Sequence, residues 1–257
     1  MPMAKAKRRL DLILVERKLA QSRERAKAMI MAGKVLVDNI PVDKPGTLLG
    51  EDARIQLKGG DIPFVSRGGV KLEGALNNFN LDVNGMVCLD AGASTGGFTD
   101  CLLAHGAKKV FAVDVGYGQL AWKLRQDYRV VVIERTNIRN MKHDALPFPV
   151  DLVTIDVSFI SLKIVVPSVE RFLNNNGYIL ALIKPQFEVG REKVGKGGVV
   201  KDPDLHQQVI ADLSDFFKKS GFLSCGVFPS SILGPKGNKE FFILLKPQQN
   251  PSAMRQI

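Results

Sequence analysis

Two acidic residues and a glycine-rich turn are the first features of this chain with chemical potential. The apolar run Met86-Val87-Cys88-Leu89 closes on Asp90, and Gly92-Ala93-Ser94-Thr95-Gly96-Gly97 follows. Glycines at such a turn let backbone amides approach a ligand closely and start the next helix. A second run, Val110-Phe111-Ala112-Val113, closes on Asp114, 22 residues after Gly92. A carboxylate there can take both hydroxyls of an adenosine ribose, so the pattern points to a nucleoside cofactor. The same letters admit another chemistry. Gly92-Ala93-Ser94-Thr95-Gly96 fits the G-x-S-x-G nucleophile elbow of α/β hydrolases, and Asp156 and His206 follow in the required order. Two points weigh against a hydrolase. The elbow usually follows several strands, whereas this turn follows the first strand of its domain. A hydrolase also leaves Asp90 and Asp114 without work. More charges sit at the ends of apolar runs: Asp156, Lys184 and Glu240, with Lys71 in Arg67-Gly68-Gly69-Val70-Lys71. Burying a lysine is expensive unless it is paired. These four charges read either as ion pairs capping a sheet or as a reaction centre.

The elements that must position them alternate. After the runs ending at Asp90 and Asp114, residues 130–133, 152–156 and 178–184 form further apolar runs, separated by helical stretches. Uninterrupted apolar strands of this length predict a parallel sheet covered on both faces. Residues 223–229 and 240–246 add two strands with no long helix between them, a hairpin at the C-terminal edge. The stretch 185–202 is glycine-rich and basic with little periodicity, which predicts a mobile loop at the carboxyl end of the sheet, where ligands bind in such folds. The chain opens differently. Leu10, Ile13 and Leu14 share one helical face, and Ser22 is an N-cap for a second helix that turns Ala26, Met29 and Ile30 inward and stops at Gly33. Short extended pieces follow at 35–37 and 40–42, across a turn at Asp38-Asn39, and at 54–57, before a linker candidate at Lys58-Gly59-Gly60-Asp61. The fold class expected is α/β: a Rossmann-like seven-stranded sheet over residues 65–257, a linker at 61–64, and a small α+β domain over 1–60.

Charge supports that division. The chain of 257 residues has a formal net charge of +10, and residues 1–60 hold 13 Lys/Arg against 7 Asp/Glu. A concentrated basic module is the electrostatic footprint of a polyanion partner. Cys88, Cys101 and Cys225 form no CxxC pair and read as reduced core thiols; no metal site is expected. No signal-type apolar segment follows the basic start, and no run reaches the roughly 18 apolar residues of a membrane span. The expectation is a soluble cytoplasmic protein without a membrane partner.

Taken together, these segments resemble the hemolysin-A-like (TlyA) family of ribosomal RNA 2′-O-methyltransferases, which join an S4 RNA-binding domain to an FtsJ-like catalytic domain. The S4 part of the resemblance rests on Arg9-Leu10-Asp11 through Ser22-Arg23 and on Gly33-Lys34-Val35. The catalytic part rests on Val65-Ser66-Arg67-Gly68-Gly69-Val70-Lys71-Leu72, on Asp90 through Thr99, on Asp156-Val157-Ser158-Phe159-Ile160-Ser161 and on Ile183-Lys184-Pro185-Gln186-Phe187-Glu188. The resemblance covers nearly the whole length. It implies S-adenosylmethionine as cofactor, ribosomal RNA or ribosomal subunits as partner, and a cytidine ribose as acceptor. The short polar tail after Lys246 leans towards the large subunit alone. The family's Lys-Asp-Lys-Glu tetrad falls on Lys71, Asp156, Lys184 and Glu240. Cofactor contacts fall on Asp90, Gly92, Ser94, Thr95, Gly96, Gly97, Phe98, Asp114 and Val115, and on Asn137 and Ile138. Asn137 stands where relatives often place an acidic residue.

The implied reaction is an in-line attack of a ribose oxygen on a sulfonium methyl, so the protein must align two reactants and manage one proton. No histidine lies in these motifs, which leaves Lys184 to take the proton. Asp156 and Glu240 would then hold the lysines, and Lys71 would meet the 2′-oxygen. An ordinary lysine is protonated at neutral pH; a second ammonium nearby disfavours that charge and carboxylates favour it, and this set holds both kinds of neighbour. RNA contacts are expected at Lys7, Arg9, Arg23, Lys34 and Lys44, and nearer the catalytic face at Arg67, Tyr117, Arg135 and Arg139. A non-catalytic RNA-binding protein with a cofactor fold is the other class; loss of a tetrad residue would favour it, and none is lost.

Overall fold

The structure, a computed structural model, describes residues 7–31, 33–38, 40–50, 53–57 and 63–248. Asn39, the linker candidate at 58–61 and the tail from 249 lie outside the described residues. The chain divides into two compact units, Met1–Ile62 and Pro63–Ile257.

The first unit contains β1 (Arg8–Arg9), α1 (Leu10–Glu16), α2 (Arg23–Met31), β2 (Val35–Val37), β3 (Ile40–Pro41), β4 (Leu48–Leu49) and β5 (Ile55–Leu57). β2 pairs antiparallel with β3 and β5, and β1 pairs antiparallel with β4. The two helices pack through Leu10, Leu14, Ala26 and Ile30 against Val35. The expected caps are present: the Ser22 hydroxyl accepts from the Arg25 amide at 3.1 Å, and Gly33 adopts φ +66° beyond α2.

The second unit follows the alternating pattern. Its elements are α3 (Arg67–Phe79), β6 (Val87–Ala91), α4 (Gly97–Ala104), β7 (Lys109–Val113), α5 (Trp122–Arg125), β8 (Val130–Ile133), β9 (Val150–Ile155), α6 (Leu162–Val169), β10 (Leu173–Ile183), α7 (Pro185–Glu188), α8 (Pro203–Lys219), β11 (Phe222–Pro229) and β12 (Phe241–Pro247). Among the described residues they build a seven-stranded sheet in the order β11-β12-β10-β9-β6-β7-β8, parallel from β10 to β8, with β12 antiparallel to both neighbours.

Side chains alternate across the sheet. On β10, Ile179, Ala181 and Ile183 join a core with α6 and α8, while Leu180 and Leu182 join the core of α3 and α4. Strands buried on both faces must be apolar throughout, which is why they read as continuous runs. The strand order reverses between β6 and β9, so the loops after those two strands diverge and leave a crevice at their carboxyl ends.

The stretch 185–202, expected as an irregular loop, contains α7 and a bridge between Gly195 and Val199. Asn238 fixes it from outside: its amide donates to the Gly198 carbonyl at 3.0 Å, and its carbonyl accepts from the Val200 amide at 3.1 Å. The cysteine expectation holds for Cys88 and Cys101, which are buried and whose thiols burial pushes far up; Cys225 is exposed on the edge strand β11. No helix among the described residues is long and apolar enough to cross a membrane.

Candidate active site

The loops after β6 and β9 approach each other closely. The Asp156 amide donates to the Ala91 carbonyl at 3.0 Å, and Gly92 sits at φ +86° where a Cβ would lie 2.6 Å from the Asp156 carbonyl oxygen. A side chain at 92 would force the loops apart. Gly97 has a packing reason instead: a Cβ there would lie 2.2 Å from the Ser66 hydroxyl and 2.9 Å from the Gly69 amide, so glycine lets the starts of α3 and α4 touch. Ser66 caps α3 by accepting from the Gly68 amide. Lys71, one turn into that helix, is thereby delivered to the sheet's carboxyl end.

Two hollows meet over this turn. The larger is a cleft of about 870 Å³ whose lining includes Gly92, Ser94, Asp114, Val115, Asn137 and Ile138. The Asp114 carboxylate accepts from the Ser94 amide at 2.8 Å and from the Gly116 amide at 2.6 Å, which fixes both oxygens at the rim while each keeps a free lone pair. The Asn137 side chain accepts from the Arg139 amide at 3.1 Å, and Arg139 lines the same cleft. A half-apolar cleft of this size with one strand-end carboxylate fits a nucleoside with its ribose at Asp114. The smaller hollow, about 200 Å³, is lined by Lys71, Asp156 and Lys184 with Thr95, Gly97 and Phe98. Gly92, Ser94, Asp156 and Ser158 belong to both.

The four charges form two ion pairs. Lys184 Nζ lies 2.6 Å from Asp156 Oδ1 and donates to the Ser158 hydroxyl at 3.0 Å. Lys71 Nζ donates to Glu240 Oε2 at 2.6 Å, with the lysine side chain 10 % exposed and the carboxylate fully enclosed. Glu240 does not line the smaller hollow; it stands behind Lys71, and its Oε1 has no hydrogen-bond partner. Glu188, on α7 just after Lys184, accepts from the Ser161 hydroxyl at 2.6 Å and the Leu162 amide at 2.8 Å. Burial pushes its carboxyl above the usual range, against those two donors, and the bonds tie the segment of Lys184 to the start of α6.

Several expected roles need correction. Asp90 and Gly96 line neither hollow. Asp90 is fully buried, accepting from the Thr99 hydroxyl at 2.7 Å and the Thr154 hydroxyl at 3.2 Å; burial pushes its carboxyl up to about 7 despite those donors. It braces the turn from below. Gly96 starts α4 in a left-handed conformation against Leu124. Arg9 and Arg23 are half-exposed but already engaged: their Nε atoms lie 2.9 and 3.0 Å from opposite oxygens of Asp11, which is completely buried. These guanidiniums hold the Asp11 carboxyl well below the usual range. Lys7 and Lys44 are exposed and Lys34 half-buried. In the second unit the Arg67 guanidinium donates to the Leu233 carbonyl at 2.9 Å, and that of Arg135 lies 4.2 Å from the exposed Tyr117 ring. The hydrolase arrangement is absent: buried His206 contacts the Val200 carbonyl through Nε2 at 2.9 Å and lines another cleft with Glu240, away from Ser94.

Sequence reasoning missed Asp11, Ser66, Ser158 and Phe159. Ser66 was findable as a polar residue ahead of a helix. Phe159, 89 % exposed at φ +65° and tilted against Phe187 at 4.9 Å, carries no signal of exposure in an apolar-rich segment.

A parallel sheet with one antiparallel strand inserted near its edge, a glycine turn after its first strand and a rim carboxylate after its second define a Rossmann-like methyltransferase. Residues 64–247 match the FtsJ-like methyltransferase model and residues 8–55 the S4 domain. The chain is 48% identical over 241 residues to the 16S/23S rRNA (cytidine-2′-O)-methyltransferase TlyA of Mycobacterium tuberculosis, covering 93% of this chain and 90% of that one. It is 49% identical over 244 residues to the candidate rRNA methyltransferase YqxC of Bacillus subtilis, covering 95% and 87%. A solved structure of a hemolysin candidate from Streptococcus thermophilus is similar at 43% identity and a TM-score of 0.75, covering 96% and 91%. The chain belongs to the FtsJ-like methyltransferase family and carries an S4 domain ahead of its methyltransferase sheet.

Proposed function

We propose that this protein transfers the methyl group of S-adenosylmethionine to the 2′-hydroxyl of a cytidine in ribosomal RNA, in the cytoplasm. Residues 1–60 act as the RNA-binding domain, 61–64 as linker and 65–257 as the catalytic domain. The observation that carries this reading is the junction of the two hollows. A nucleoside cleft and a pocket of paired lysines share Gly92, Ser94, Asp156 and Ser158, so cofactor and acceptor meet at one wall.

Asp114 would hold the cofactor ribose, with Val115, Asn137 and Ile138 about the adenine and the turn residues Gly92, Ser94, Thr95, Gly97 and Phe98 along the remainder. S-adenosylmethionine supplies an electrophilic methyl and a thioether leaving group. The chain's own residues do the rest. Lys184, as the amine, takes the proton from the 2′-hydroxyl as the oxygen attacks, and leaves as an ammonium held by Asp156. Lys71, locked by Glu240, donates to the 2′-oxygen and keeps it in line. Lys7, Lys34 and Lys44, with Arg67, Tyr117, Arg135 and Arg139, contact RNA phosphates and bases; Arg9 and Arg23 present their outer faces while holding Asp11.

The support is the geometry above together with relatives named for this activity. The test is to incubate the protein with S-adenosylmethionine and each unmodified ribosomal subunit, digest the RNA to nucleosides and analyse by mass spectrometry. 2′-O-methylcytidine is the expected product; a methylated base, or no methylation with cofactor still bound, would overturn the proposal.

A further inference from the structure

We propose that Ser158 is a positioning residue for Lys184, orienting its amine so that the nitrogen lone pair faces the acceptor hydroxyl. This rests on the methyl-transfer reading above and adds a residue outside the tetrad. Ser158 lies in the short turn after β9, between Asp156 and the left-handed Phe159, and it borders both hollows. Its hydroxyl oxygen is 3.0 Å from Lys184 Nζ, and among the described residues that is its hydrogen bond. Capping of α6 falls instead to Ser161, which accepts from the Lys163 amide, so Ser158 has no evident duty in holding the helix.

The chemistry follows from counting positions on nitrogen. A neutral primary amine carries two N–H groups and one lone pair, arranged tetrahedrally about Nζ. Ser158 Oγ at 3.0 Å takes one N–H, while Asp156 Oδ1 lies 2.6 Å away as an ion-pair contact without a hydrogen bond. With that N–H committed to the serine, the lone pair is free to face the smaller hollow, which Lys184 lines beside Lys71 and the glycine turn. With Asp156 alone, the amine can turn about its Cε–Nζ bond and present an N–H where the lone pair is required. When the 2′-hydroxyl gives up its proton, the N–H bond forms at that lone pair, the oxygen–methyl bond forms as the methyl–sulfur bond breaks, and the ammonium keeps its hydrogen bond to Ser158 and its ion pair with Asp156. The serine oxygen therefore serves the reactant amine by orientation and the product ammonium by solvation.

Single-turnover methyl transfer to ribosomal RNA, followed across neutral and alkaline pH, tests this on wild type, Ser158→Ala, Ser158→Thr and Lys184→Ala, with cofactor affinity measured by calorimetry. Ser158→Ala should slow transfer by about 10-fold with cofactor affinity within about 2-fold. Its rising pH limb should move to lower pH, because an oxygen that accepts from Nζ favours the charged form. Ser158→Thr, which keeps the hydroxyl, should recover most of the rate. An unchanged rate and limb in Ser158→Ala, beside an inactive Lys184→Ala, overturns the role of Ser158 and leaves the wider reading standing. A rate loss matched by an equal loss of cofactor affinity, with the limb unmoved, also overturns it. Activity in Lys184→Ala overturns the wider reading and this inference with it.

Discussion

Replacing Glu240 by alanine removes the carboxylate that Lys71 touches at hydrogen-bond distance, 2.6 Å away, in a place where the lysine side chain is 10 % exposed and the glutamate not at all. Burial this deep makes screening by water small, so the loss is that of a buried pair broken on one side, about 3–5 kcal/mol. For a unit of this size that corresponds to a fall in Tm of roughly 6–20 °C. Lys71→Met should cost a similar amount, because it strands a carboxylate whose Oε1 already lacks a partner. The double variant Lys71→Met/Glu240→Leu removes both charges and keeps volume, so most of the stability should return while methyl transfer does not. Urea unfolding followed by far-ultraviolet circular dichroism on wild type, Lys71→Met, Glu240→Leu and the double variant gives the coupling energy, expected at about 2 kcal/mol or more. Single losses below about 1 kcal/mol that simply add in the double variant would refute the reasoning, since they would mean that Lys71 and Glu240 are independently solvated.

Asp90 gives a pH signature. Its carboxyl is raised to about 7, so folding disfavours its charge; its contribution is least unfavourable in acid and becomes more unfavourable as pH rises from about 4 to about 7, then levels off. Asp90→Asn should flatten that slope and raise stability at alkaline pH by at most about 4 kcal/mol, read from urea midpoints across pH. Asp114→Ala should weaken S-adenosylmethionine binding at least 10-fold in calorimetry, since it removes the proposed ribose acceptor and frees the Ser94 amide that shapes the turn. In the S4 unit, Lys34→Ala and Lys44→Ala should each reduce the salt slope of RNA binding by about 1 without changing Tm. Arg23→Ala should instead lower Tm measurably, because Asp11 is buried and loses one of its two guanidiniums.

The sheet was legible because strands covered on both faces leave unbroken apolar runs, and only their last residues escape into the crevice. Asp114, Asp156 and Lys184 were visible for that reason. Asp90 obeys the same rule in sequence yet turns inward, because Thr99 and Thr154 supply hydroxyls beneath it; nothing local distinguishes a rim carboxylate from a brace. Arg9 and Arg23 read as free surface charge because the carboxylate between them, Asp11, looks like an ordinary helix-start residue. The basic loop looked structureless because its main partner, Asn238, comes 40 residues after Gly198. The pairing within the tetrad was also invisible. Four charges at strand ends do not say that Lys71 belongs with Glu240 and Lys184 with Asp156, and that division separates the enclosed pair from the one at the junction.

On the proposed mechanism, Lys184 carries the proton in a methyl transfer from S-adenosylmethionine to a ribose 2′-oxygen. Labelled methyl transfer to isolated ribosomal subunits, with wild type and Lys184→Ala at equal cofactor saturation, tests it most directly. Wild type should place alkali-stable label on a cytidine ribose, and Lys184→Ala should lose at least 100-fold in transfer while cofactor still binds. Near-wild-type transfer by Lys184→Ala, or label on a base, would contradict it.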